Sequence, residues 1–169
     1  MRQILTAVRA LFYMTAFLSL WAWLAVWARR LGAAWDTLLP PGSVAAGVAL
    51  IVLGATLGGW CVALFIVEGR GTPAPFDAPR AFVPSGPYRW VRNPMYVGGA
   101  LLLLGLGLSQ RSLVMALFTI PAVLVAHLFV VSYEEPTLES RFGKPYADYR
   151  RHVPRWLPRL PRGERRQKA

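Results

Sequence analysis

SVAAGVALIVLGATLGGWCVALFIV, residues 43–67, runs for 25 residues without a charge. A helix of about 20 apolar residues, rising about 1.5 Å per residue, crosses a hydrocarbon core about 30 Å thick. Working outward, LFYMTAFLSLWAWLAVWA at 11–28 is a second such run. Its helix reaches back to Ile4 if Arg9 snorkels or faces protein. Ser112–Ser132 supplies 21 more uncharged residues, while Val97–Leu108 has only 12. That shorter run begins earlier or forms half of a tilted hairpin with Ser112–Ser132, turning at Ser109-Gln110-Arg111. The composition agrees: 55% hydrophobic residues and a mean hydropathy of +0.39 are too apolar for an ordinary soluble domain. The first run is long and Trp-rich, with no small-x-small cleavage site, so it reads as a span and not as a signal peptide.

The expected fold is an all-α polytopic membrane protein, one membrane domain over 1–169, with about four transmembrane helices. Spans are expected at 4–28 and 43–67, with a two-span hairpin over 97–132. A proline-rich cytoplasmic loop fills 69–96, and a tail over 133–160 carries short interfacial helices.

Net charge is +11, and the tail from Tyr133 holds 10 of the 19 Lys and Arg. The loop holds Arg70, Arg80, Arg89 and Arg92. The positive-inside rule places both in the cytoplasm, against the weaker pull of Arg29 and Arg30. Anionic lipid headgroups account for such a basic tail, so the bilayer is the expected partner and nucleic acid is not. Cys61 stands alone inside an apolar run, which excludes a disulfide framework and a cysteine-based metal site. No metal is expected, and the thiol reads as buried and inert.

Gly54 and Gly58 form a small-xxx-small pattern that lets helix backbones approach. Pro121 predicts a kink in the last span. His127, beyond it, is expected to make a single hydrogen bond to a neighbouring helix. Five prolines between Pro73 and Pro87, with Pro94 after them, exclude a regular helix and favour a stiff, extended path. The aromatics Phe76, Phe82, Tyr88 and Trp90 suggest that this path packs against something. In the tail, Leu138 and Phe142 share a helical face, Gly143 can end that helix, and Pro145 can open another bearing Tyr146 and Tyr149 on one face with Val153.

Glu134 and Glu135 arrive where the last span leaves the hydrocarbon. Adjacent carboxylates there repel each other unless cations or hydroxyls meet them. They are either a solvated helix end paired with tail arginines or one wall of a pocket. The arginines and the Asn93-Pro94-Met95-Tyr96 corner, on the same predicted side, would supply the other wall for a zwitterionic ligand.

GPYRWVRNPMYVGG, followed about forty residues later by EEPTLESRFGKPYADYRRHVPRWLP, resembles the integral-membrane methyltransferases of the isoprenylcysteine carboxyl methyltransferase and phospholipid N-methyltransferase group. That pattern is G-x-Y-x-x-x-R-H-P-x-Y-x-G and then E-E-x-x-L-x-x-x-F-G-x-x-Y-x-x-Y, and the likeness covers about residues 70–160. It implies S-adenosyl-L-methionine bound on the cytosolic side and a lipid-like acceptor entering from the bilayer. By position it implies that Arg80, Ala81, Phe82 and Val83 line the cofactor site. Tyr88 would pack on the cofactor, and Arg92, Asn93, Pro94, Met95 and Tyr96 would form the corner beneath it. Glu134 would take a polar contact, with Glu135 beside it. Adenine suits apolar and aromatic walls, ribose hydroxyls a carboxylate, and the methionine carboxylate an arginine.

Two positions depart from the pattern. The usual His of the R-H-P-x-Y corner is Asn93, which can hydrogen-bond but cannot titrate near neutrality. Phe129 stands five residues before the first Glu, where the isoprenylcysteine enzymes resemble one another in placing an arginine toward the acceptor carboxylate. The acceptor therefore stays open between a prenylcysteine-like molecule and phosphatidylethanolamine. The alternative of another class is a non-catalytic scaffold or transporter subunit. Spans with no ionisable residue deep in the bilayer besides His127 are poor material for a transport path.

Overall fold

The computed structural model describes residues 2–36, 38–72 and 80–158. The prolines at 73, 75 and 79, Phe76, and the tail beyond 158 lie outside the described residues. Helix α1 is Arg2–Leu31, α2 is Ser43–Val67 and α3 is Pro94–Ser109. A last long helix, Leu113–Phe142, divides into α4 (Leu113–Leu117), α5 (Thr119–Phe129), one wide π turn (Val130–Glu134) and α6 (Glu135–Phe142). Helix α7, Lys144–His152, follows. The described residues contain no strand, and an isolated bridge pairs Leu38 with Ser112. Among the described residues, three helices are long and apolar enough to cross a membrane: Ile4–Leu31, Ser43–Val67 and Leu113–Phe142. Helix α3 is apolar but has 16 residues, about 24 Å at 1.5 Å per residue.

The most extensive helix pair is α2 with α3, and glycine makes it possible. A Cβ on Gly54 would lie 2.6 Å from the Gly98 carbonyl oxygen, and one on Gly105 would lie 2.7 Å from that of Gly47. Two bare helix faces therefore touch backbone to backbone at two levels, giving van der Waals contact that lipid cannot match. The helix is interrupted near the proline: α4 ends at Leu117, four residues before Pro121, and α5 begins at Thr119. The proline has no N–H for the Leu117 carbonyl, and its ring crowds that oxygen.

At one end of the bundle, the α1–α2 loop is fastened to the α3–α4 turn. The carboxylate of Asp36 accepts from the Ser112 hydroxyl at 2.9 Å, the Val114 N–H at 3.1 Å and Arg29 Nε at 3.0 Å. Arg111 Nε donates to the Leu39 carbonyl at 2.7 Å. The other end carries the motif residues.

The tail differs from expectation in one respect. Two surface helices were expected after Ser132, yet α6 continues the last long helix through the π turn. The Glu135 N–H reaches back to the Val130 carbonyl, five residues away, and Pro136 follows without a donor of its own. The helix breaks at Gly143, where φ is +58°, a conformation glycine adopts without Cβ strain.

Candidate active site

Gly86 turns the chain with φ +54° at a point where a Cβ would lie 2.7 Å from Leu64. The 3-10 turn Gly86–Arg89 thereby tucks the Tyr88 ring against Phe65 of α2, with centroids 5.5 Å apart. Pro94 opens α3 at its first turn, where a missing N–H costs nothing. Tyr96 then points across to the last long helix, and its hydroxyl donates to Glu134 at 2.9 Å. Thus the two motifs, 38 residues apart, meet directly.

A cavity opens between them. Its volume is about 100 Å3, and it is open at the mouth. Ala81, Phe82 and Val83 form one wall. Tyr88, Arg92, Asn93 and Tyr96 form a second, and Glu134 and Glu135 a third. Arg80, Pro94 and Met95 of the anticipated set do not line it: Arg80 is exposed, and Pro94 is buried in the start of α3. The twin acids part company. Glu135 is buried, with Arg92 Nη1 at 2.8 Å and Arg155 Nε and Nη2 at 2.7 and 3.0 Å. Glu134 has Tyr96 as its hydrogen-bonding partner in the cavity.

Several lining residues were not anticipated as site residues. Phe142 of α6 and Tyr146 and Tyr149 of α7 surround Phe82, with ring centroids at 5.7, 5.9 and 5.0 Å. The shared face of Tyr146 and Tyr149 was legible, but what it would face was not. The Tyr149 hydroxyl donates to the Tyr88 carbonyl at 2.7 Å, closing α7 over the corner. Burial holds the Tyr88, Tyr146 and Tyr149 phenols above their ordinary pKa, so all three are neutral donors at physiological pH. Phe129, Tyr133 and Thr137 line the side toward the last long helix.

The tail seals the floor. Arg92 N–H donates to the Pro154 carbonyl at 2.9 Å, and Asn93 Nδ2 to that of Arg155 at 3.3 Å. Asn93 therefore ties the tail to the corner. Trp156 Nε1 donates to His127 Nδ1 at 3.1 Å. The expected bond of His127 goes to the tail and not to a neighbouring helix.

Residues 43–145 match the phospholipid methyltransferase family. The chain belongs to that family. The match spans the glycine-packed α2–α3 pair, the loop, the first motif and the second motif as far as Pro145 at the start of α7. Among similar curated proteins, the cobalt-zinc-cadmium resistance protein CzcN of Cupriavidus metallidurans is 36% identical over 114 residues, 68% of this chain and 47% of that protein. The nickel-cobalt-cadmium resistance protein NccN of Alcaligenes xylosoxydans xylosoxydans is 31% identical over 101 residues, 60% of this chain and 43% of that protein. The chain spans under half the length of these two relatives. In this member of the phospholipid methyltransferase family, no group of three or more His, Cys, Asp or Glu among the described residues could hold a metal ion.

Proposed function

We propose that the chain transfers the methyl group of S-adenosylmethionine to a lipid-like acceptor at the membrane. The observation that supports this best is the cavity walled by both motifs, with Tyr96 bonded to Glu134 across it. The donor set suits the cofactor. Arg92 is nine-tenths buried, yet its Nε has no hydrogen-bond partner, and its Nη1, though close to Glu135, makes no angle-competent hydrogen bond. A carboxylate in the cavity would satisfy such orphan donors, which are costly when buried. Phe82, Tyr88 and Tyr149 offer faces and edges to an adenine, and Glu134 a polar contact to a hydroxyl or amino group.

When bound, the cofactor supplies a methyl group already activated on a sulfonium. The residues of this chain need only orient, desolvate and manage a proton. Aligned approach and exclusion of water are together worth roughly 7–11 kcal/mol of barrier. The aromatic cluster around Phe82 and the tail clamp at Arg155 exclude water from two sides. A carboxylate or thiolate acceptor needs no base, whereas an ammonium must first lose a proton, and Glu134 stands nearest to take it.

The same reading assigns the cofactor loop to 69–96 and the site-completing tail to 133–160, with both on the cytoplasmic side. It also counts α3 as a fourth span. The charge distribution supports that placement.

Amine methylation of the phosphatidylethanolamine type is the second reading. Arg155 is engaged with Glu135, the free donors of Arg92 are assigned above to the cofactor's carboxylate, and Phe129 adds no further cation on that wall, which favours an amine over a carboxylate head. Isothermal titration of the purified protein with S-adenosylmethionine is the test. Glu134→Ala is expected to weaken binding at least tenfold while the protein stays folded. Unchanged affinity would defeat the assignment.

A further inference from the structure

His127 precedes Glu134 by seven residues in the last long helix, a rise of about 10 Å at 1.5 Å per residue, and the methyl-transfer reading gives it no task. Its Nδ1 accepts from the Trp156 indole N–H at 3.1 Å, with the two rings 6.0 Å apart. An indole N–H can only donate, so Nδ1 presents its lone pair and the ring proton sits on Nε2. The same indole meets the Tyr96 ring at 6.3 Å and 78°, an edge-to-face geometry that aromatic pairs favour. Tyr96 in turn donates its hydroxyl to Glu134 at 2.9 Å. Side chains from the tail, from α3 and from the last long helix thus form one continuous line from His127 to Glu134. Tyr96 needs such support. Its ring borders open space on two sides: the polar cavity, and an apolar cleft lined by Val97, Ala100, Ala126 and Trp156. A phenol between two open spaces can change rotamer and leave the carboxylate, because close packing does not stop it there. Trp156 limits that movement only while its own ring is held. Its backbone is fastened through the Pro154 and Arg155 carbonyls, which accept from the Arg92 N–H and Asn93 Nδ2. Those bonds fix the strand of tail but leave the indole free to turn, and the bond to His127 removes that freedom.

We propose that His127 and Trp156 are positioning residues for the methyl donor: His127 fixes the indole, the indole steadies Tyr96, and Tyr96 aims the Glu134 carboxylate into the cofactor cavity. The inference rests on the reading that Glu134 contacts S-adenosylmethionine. Neither His127 nor Trp156 lines the polar cavity, so both act through Tyr96 and not on the cofactor itself.

The test titrates S-adenosylmethionine calorimetrically into the full-length protein in detergent, with melting temperatures on the same samples to show that each variant is folded. His127→Phe keeps a ring but offers no acceptor, and is expected to weaken binding at least about threefold, as the loss of one hydrogen bond would. Tyr96→Phe is expected to weaken it by as much or more. His127→Asn, whose Oδ1 stands where Nδ1 was, should restore affinity to within about twofold of the wild type. Combining His127→Phe with Tyr96→Phe should cost no more than Tyr96→Phe alone, because the hydroxyl through which His127 acts is already gone. Losses that multiply would instead mark two independent structural effects and overturn the proposal, as would a His127→Asn variant as weak as His127→Phe. If His127→Phe does not fold, Trp156→Phe, which loses the N–H but keeps a ring, takes its place in the same cycle. Wild-type binding with His127→Phe unchanged would sink this inference alone, whereas no binding by the wild type would sink the methyl-donor reading with it.

Discussion

The Glu135 carboxylate is met by Arg92 at 2.8 Å and Arg155 at 2.7 Å, in a setting where its side chain is 8% exposed. Arg155 is held above its ordinary pKa, first by its hydrogen bond to Glu135. Removing the acid strands two guanidiniums, one of them nine-tenths buried, and an uncompensated buried charge costs roughly 3–5 kcal/mol. Glu135→Ala is therefore expected to destabilise the protein by about that amount, and Glu135→Gln by less because an acceptor oxygen remains. Thermal melts in detergent read the difference. Equal melting of Glu135→Ala and the wild type would show that the ion cluster contributes nothing net. The neighbouring Glu134 carries no such structural charge pair, so its loss is expected in ligand affinity more than in melting temperature. Adjacency had suggested a matched pair of acids. Their separate roles depend on Arg92, 43 positions before Glu135, and Arg155, 20 positions after it, and no local pattern reports those distances.

At the scale of the elements, the two glycines of the Gly54–Gly58 pattern are not equivalent. A Cβ on Gly54 would press on the Gly98 carbonyl, whereas one on Gly58 would meet nothing within 4 Å. Gly58→Ala is thus expected to be neutral or stabilising, by up to about 1 kcal/mol of helix propensity. Gly54→Ala must push α2 and α3 apart and is expected to lower both folded yield and melting temperature. Equal behaviour of the two variants would refute the packing. The clasp at Asp36 carries a pH prediction. Burial alone would raise its pKa, but hydrogen bonds from Val114, Ser112 and Arg29, with the charge of Arg29, bring it below the ordinary value. A carboxylate lowered on folding adds stability that is present above its unfolded pKa of about 4 and is lost as pH falls through the folded value. Melting temperature should accordingly drop in acid below about pH 4, and Asp36→Asn should flatten that drop. The bounds of α2 were readable because Pro40-Pro41-Gly42 stand before it and the charge of Glu68 follows it. The passage from α5 into α6 was not, since charges at 134 and 135 look like a helix end until their distant partners are known.

For the whole molecule, both ends of the bundle carry cations, but their charge is handled differently. At the Asp36 end, Arg29 is neutralised by that carboxylate and Arg111 is bonded to the Leu39 carbonyl. Arg30 stays exposed there, so of the Arg29–Arg30 pair that spoke against an inward-facing site only Arg29 is cancelled. At the site end, Arg151 keeps its side chain 77% exposed, and Arg80, Arg141 and Arg150 are also at the surface. A surplus of exposed cations on one side of the spans is retained in the cytoplasm, so the polar cavity is expected to open to the cytosol. Membrane-impermeant maleimide decides this, because the native Cys61 is fully buried and gives a dark background. Trp35, 83% exposed at the Asp36 end, and Arg151 supply the reporters. Trp35→Cys should label in intact spheroplasts and Arg151→Cys only in inverted vesicles. The reverse pattern would put the cavity on the outer face, beyond the reach of a cytosolic methyl donor, and methyl transfer from that donor would have to be abandoned.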